Sequence, residues 1–136
     1  MGPLDDQVVR ADALTATPTG LDIAVHSHWY RALPLPSLAR VDLTVDGQRV
    51  DTASLAVTVN GHRYPFADLA ERGDEYWFTT DPVVLHTPVA TGPGREHRVE
   101  LLLGLSIPYI LTGSDRVPLV APSSTDKTLT AAGAAA

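Results

Sequence analysis

Short runs in which apolar and polar residues alternate with a period of two recur along this chain, and nearly every run closes on a turn signal. Over 21–28, Leu21, Ile23 and Val25 take one face while Asp22, Ala24, His26 and His28 take the other, the period of a half-buried strand. Val41, Leu43 and Val45 alternate into Asp46-Gly47, and Leu55, Val57 and Val59 alternate into Asn60-Gly61. Both dipeptides suit type I′ turns, whose two central residues need positive φ, so each predicts a hairpin. Residues 44–50 and 58–64 match at four of seven positions, a local echo and not a repeat architecture. Residues 8–14 read as a first strand before the turn Thr17-Pro18-Thr19-Gly20, 75–79 as an aromatic strand and 83–86 as another. The strongest pattern begins near His97, after the turn Thr91-Gly92-Pro93-Gly94. There Val99, Leu101, Leu103, Leu105 and Ile107 share one face and Leu102 adds apolar weight to the other, as in a central sandwich strand, until Pro108 stops or re-aims it. Residues 112–115 read as an irregular link, 127–130 as an edge strand and 131–136 as a disordered alanine-rich tail. One short helix is expected over 66–73, which has helix formers and a glycine stop.

Eleven prolines and ten glycines leave no uninterrupted amphipathic helix of normal length. About eight short strands, one short helix and no helical crossovers predict an all-β fold, an antiparallel two-sheet β-sandwich, with a closed barrel as the alternative. A chain of 136 residues fits one domain, placed at 1–130, that can bury a core without staples. The 44% hydrophobic and 19% charged fractions are ordinary globular usage. The longest apolar stretch, 99–111, is broken by Glu100, Gly104, Ser106 and Pro108 and is too short to span a bilayer. The N-terminus has neither a basic nor an apolar signal region, and there is no cysteine, so a cytoplasmic location is expected. A net charge of −6 opposes the phosphate contacts on which nucleic-acid binding depends.

The residues that carry chemistry do not assemble into a recognisable motif. His26 and His28, two apart on a strand, project to one side and would offer two imidazoles to one ion, but a site needs a third ligand. Asp22 lies on that face, and His62, His86 or His97 would have to approach. The plainer reading is histidines that hydrogen-bond at a surface or interface. Asp42, Asp46, Asp51, Asp68, Glu71, Asp74, Glu75 and Asp81 fall mostly at turns or exposed positions and read as solvated charge. No serine sits in a Gly-x-Ser-x-Gly elbow, and Gly92-Pro93-Gly94 lacks the lysine and the strand-to-helix setting of a phosphate loop. What stands out is 28–38, where His28, Trp29, Tyr30, Arg31, Leu33 and Leu35 sit in a connection stiffened by Pro34 and Pro36. Aromatics and arginine dominate interface hot spots, and proline lowers the entropy lost on docking. His28, Trp29, Tyr30, Arg31, Leu33, Pro34 and Leu35, with Tyr109 from a second apolar cluster at 107–111, are the expected partner-binding residues. The competing reading is a crossover whose Leu33, Leu35 and Leu38 cover the end of the core.

At these residues the sequence resembles the small β subunit of the bacterial C-glycoside deglycosidases. The resemblance runs from Tyr30-Arg31-Ala32-Leu33-Pro34-Leu35 into 41–47, then through 57–64, the 66–72 helix, Tyr76-Trp77-Phe78, 97–101 and Asp126-Lys127-Thr128-Leu129-Thr130, while 111–124 departs from it. It implies a non-catalytic subunit of a hetero-oligomeric carbon-carbon lyase, whose larger α subunit is a TIM barrel similar to sugar-phosphate isomerases and carries a divalent metal, manganese. The implied reaction removes the C2 proton of a 3-oxo-C-glycoside and expels the aglycone. No cofactor and no catalytic residue is carried over to this chain. Two rivals stand beside it: a freestanding carbohydrate-binding sandwich stacking sugars on Trp29, Tyr30, Tyr76 and Trp77, and a metal-dependent enzyme built on His26 and His28.

Overall fold

Alternation in the sequence becomes alternation of burial in the fold. The computed structural model describes residues 8–27, 32–78, 81–114 and 116–133, with the side chains of Ala70, Pro108, Tyr109, Thr112 and Pro118 outside that description. Among the described residues the strands are β1 (Leu14–Thr17), β2 (Gly20–Val25), β3 (Leu33–Pro34), β4 (Leu38–Val45), β5 (Gln48–Val50), β6 (Ala56–Val59), β7 (His62–Pro65), β8 (Tyr76–Trp77), β9 (Val83–Thr87), β10 (Glu96–Thr112), β11 (Val117–Thr130) and β12 (Ala132–Gly133). One sheet runs β12-β1-β2-β9-β6-β7, a second runs β11-β10-β4-β5, and β3 and β8 form a small third pair. All pairings are antiparallel except that of β1 with β12. The expected all-β sandwich is therefore the fold, with more strands than the eight expected, two of them long, β10 and β11, and no closed barrel among the described residues.

Leu21, Ile23 and Val25 of β2, Val57 of β6 and Leu85 of β9 belong to the same buried cluster as Val41, Leu43 and Val45 of β4 and Val99, Leu101, Leu103 and Leu105 of β10. Each fully buried Val, Leu or Ile contributes roughly 1.5–3 kcal/mol relative to leaving it exposed, which is why period two specifies the register. Both expected hairpins close on type I′ geometry: φ is 54° at Asp46 and 81° at Gly47, and 51° at Asn60 and 81° at Gly61. At Gly20 the backbone runs so close to β9 that an added Cβ would lie 1.8 Å from the Thr87 carbonyl oxygen.

Four expectations change. Val8 and Val9 are buried, but pairing starts only at Leu14, because Val8 spends its carbonyl on His26 N (2.8 Å) instead of on a ladder. The 66–73 helix is a six-residue 3₁₀ segment, Phe66–Glu71, anchored by buried Leu69. The edge strand expected over 127–130 is far longer: β11 starts at Val117 and pairs with β10 along its whole length. Its Pro118 and Pro122 are tolerated because β11 is the outermost strand of its sheet, where a missing N–H need not break a ladder. The tail is not free from Ala131. Ala131 is buried, donates to Arg95 O (2.9 Å) and accepts from Gly94 N (2.7 Å), and β12 pairs with β1; residues 134–136 lie outside the described set. No helix among the described residues is long and apolar enough to cross a membrane.

Candidate functional site

Proline fixes φ and lacks an N–H, so the run 33–38 cannot extend as a regular strand. It makes one two-residue pairing, Leu33 opposite Trp77 and Pro34 opposite Tyr76, and then a single 3₁₀ turn, Leu35–Ser37, before entering β4. Leu35 N donates to Glu75 O at 2.7 Å. Of the expected docking residues, His28, Trp29, Tyr30 and Arg31 lie outside the described residues, as does the side chain of Tyr109. Leu33 and Leu35 are buried, as is Leu38, so their side chains cap the chain's own core and do not face outward. Pro34 is half-buried. The connection is rigid because its leucines are inside it.

The histidines disperse. His28 falls outside the described residues, and β2 ends at Val25, before His26. His26 is buried, its Nδ1 has no hydrogen-bond partner, and burial pushes its pKa down, with Arg10 acting in the same direction and Asp12 against it. His62 Nδ1 meets Glu75 at 2.8 Å on the surface. The remaining two form matching chains. His97 places Nδ1 2.6 Å from Asp46 and Nε2 2.6 Å from the Thr91 hydroxyl. His86 places Nδ1 2.9 Å from Asp22 and Nε2 2.6 Å from the Thr58 hydroxyl. An ionised carboxylate only accepts, so Nδ1–H donates to the aspartate and, in the neutral ring, Nε2 accepts the threonine proton. Among the described residues no group of three or more His, Cys, Asp or Glu side chains is arranged to hold a metal ion.

Aspartate, histidine and hydroxyl in this order have the connectivity of a catalytic triad, but their placement is that of a cross-tie. The His97 side chain is wholly enclosed, which denies a substrate access to its ring. Asp46 also accepts Arg98 N at 2.9 Å, and these bonds, His97's first, hold its carboxyl below the usual carboxylate range. The echoed turns thereby have parallel uses: Asp46 ties its hairpin to β10, and Asn60 ties the other to β8 through Tyr76 O at 2.8 Å. The second relay rivets β2, β9 and β6, since Asp22 stands opposite His86 and Thr58 lies two residues from Ala56, the other neighbour of His86. A groove of about 630 Å³ adjoins Asp46, between Arg49, Val50, Asp51, Val89 and Arg95. Its charged walls are partly engaged already, Arg49 with Asp42 (3.3 Å) and Asp51 with Ala53 N (3.0 Å).

The sugar-stacking platform loses a member. Trp77 is buried and donates Nε1–H to Asp81 O at 2.9 Å, so its faces pack in the core. Tyr76 is exposed, and Trp29 and Tyr30 lie outside the described residues. Sequence reasoning missed both relays, because each joins residues from strands far apart in the chain. Only the Asp22 and His86 positions, on outward faces of their strands, hinted at one of them.

The family model for the C-glycoside deglycosidase beta subunit matches residues 4–109. A C-glycoside deglycosidase beta subunit of Microbacterium trichothecenolyticum is 34% identical over 131 residues, covering 96% of this chain and 99% of that one. A 3'-dehydrocarminate deglycosidase beta subunit of Microbacterium sp is 31% identical over 105 residues, 77% of this chain and 80% of its own. A C-glycoside deglycosidase beta subunit of Arthrobacter globiformis is 33% identical over 108 residues, 79% and 82% respectively. With the resemblance read along 30–130 matched by a family model over 4–109 and by a relative over 96% of the chain, this protein belongs to the C-glycoside deglycosidase beta subunit family.

Proposed function

We propose that this chain is the accessory β subunit of a hetero-oligomeric C-glycoside deglycosidase, a carbon-carbon lyase whose chemistry resides in a larger TIM-barrel α subunit. The observation that carries this reading is the end-to-end match to a beta subunit, 96% of this chain against 99% of the relative. In the reaction, a base takes the C2 proton of a 3-oxo-C-glycoside. The pair freed at C2 forms the C1–C2 double bond, the C1–aglycone bond breaks, and the aglycone carbon keeps the pair of that broken bond and takes a proton. The name of one relative, a 3'-dehydrocarminate deglycosidase beta subunit, supports an oxidised glycoside as the substrate class. The divalent metal, manganese, is the larger subunit's. The described residues of this chain do not fit a metal site, and no step is assigned to them. This chain's part is to brace the larger subunit and shape the approach to its site. Co-expression with a neighbouring barrel protein tests it: a stable complex that releases aglycone from a 3-oxo-C-glycoside is expected. A chain that stays alone, or a barrel protein fully active without it, overturns the reading.

A further inference from the structure

Among the described residues, five large hydrophobic side chains stay exposed: Tyr76, Phe78, Leu111, Val117 and Val120, each between 46% and 53% accessible except Leu111 at 45%. They come from two places only, β8 with the residue that follows it and the hairpin of β10 and β11, and both adjoin the 33–38 connection. β8 pairs with β3, setting Tyr76 opposite Pro34. β4 leaves β10 at the pair Leu105–Leu38, and beyond it Ser106–Val120, Ile107–Leu119, Leu111–Pro118 and Thr112–Val117 continue as a two-stranded arm. The register shifts between Ile107 and Leu111, the stretch of β10 that contains Pro108. From 105 to 120 the sequence carries only two charged residues, Asp115 and Arg116. Farther along the same sheet lies the pair Arg98–Asp126 at 2.8 Å, while Arg40, paired with Asp42 at 2.6 Å, stands opposite Gly104 at the base of the arm, where Val120 also borders Gly104. The far end of this sheet is thus charged and self-paired, and the apolar side chains of the arm begin beside Arg40.

We propose that this end of the sandwich, with Tyr76 and Phe78 on one side of the 33–38 connection and Leu111 and Val120 on the arm at the other, is the surface that docks on the larger subunit. The inference rests on the β-subunit reading and deepens it. Aromatic and aliphatic anchors, bordered by Arg40 beside Val120, have the composition of an interface core with a polar rim. The relatives are named beta subunits, which points to a different, partner chain as the occupant, and a standard interface of roughly 800 Å² per partner would reach beyond these anchors. The connection between the prongs is held rigid by its buried leucines, so docking orders little new structure.

The test co-expresses the tagged full chain with the larger subunit as wild type, Y76S/F78S, L111S/V120S and the control R98S, with thermal unfolding of each isolated chain as a folding check. Expected is a wild-type complex, a control that binds as wild type, and at least a tenfold weaker Kd for each double variant at unchanged unfolding temperature. A wild-type complex that both double variants match overturns the docking surface and leaves the subunit reading standing. A wild-type chain that never binds overturns both. A homodimer of the isolated chain, dissolved by either double variant, names a second copy as the occupant and also overturns the proposal.

Discussion

The Asp46–His97–Thr91 tie gives the sharpest energetic prediction, because its central ring is fully enclosed while its outer partners are not. His97 makes two bonds of 2.6 Å, one to a carboxylate, and its side chain has no exposed surface. In His97→Ala, Asp46 and Thr91 recover water, since Asp46 is 44% exposed and Thr91 half-buried, so the loss is that of two bonds and of packing. At about 1 kcal/mol for a neutral bond and 1.5–3 for a charged one, His97→Ala should cost about 3 kcal/mol, or about 10 °C in Tm for a domain of this size. Asp46→Ala strands a buried Nδ1–H and should cost about 1–3 kcal/mol. The double variant should then fall short of additivity by about 1–2 kcal/mol. Urea unfolding followed by the fluorescence of buried Trp77 measures all three. The sign in pH follows from the carboxylate. Its pKa is lowered on folding, so its stabilisation is present above the unfolded value of 3.8 and disappears as pH falls through the lower folded value. The stability difference between wild type and Asp46→Asn should shrink below pH 4. Additive single variants, or a His97→Ala cost under about 0.5 kcal/mol, would refute the tie.

Gly20→Ala should destabilise by more than about 2 kcal/mol, because its Cβ meets backbone 1.8 Å away that moves only if β2 and β9 separate; an unchanged urea midpoint would count against the close approach. Deleting residues 131–136 removes two backbone bonds and the β12 pairing, and should lower stability by about 1–2 kcal/mol, whereas a frayed tail would leave the unfolding curve where it was. Trp77→Phe loses the bond to Asp81 O and part of a core side chain and should cost about 2 kcal/mol; glycan-array binding by wild type that this variant alone abolishes would instead restore Trp77 to a sugar platform.

Period-two burial and the dipeptides Asp46-Gly47 and Asn60-Gly61 are local properties, so the sandwich, both hairpins and the central strand from His97 were legible before any contact was known. Of β11 only the end, 127–130, was legible. The rest carries Pro118 and Pro122, and it becomes a strand because β10 lies alongside to complete its ladder. The apolar weight of 28–38 was legible too, but not its partition: Leu33 and Leu35 turn inward to fill the core, and the exposed apolar side chains lie on flanking β8 and the β10–β11 arm. Likewise five histidines could be counted, yet the sequence could not pair His97 with Asp46 across 51 positions or His86 with Asp22 across 64. The sequence by itself determined the strand period, the turns, the all-β class and the family, because each depends on neighbours within a few residues or on the order of motifs along the chain. Only the tertiary structure decided which side chains meet and which remain exposed, because strand register and sheet order bring together residues whose separation along the chain carries no trace of their contact.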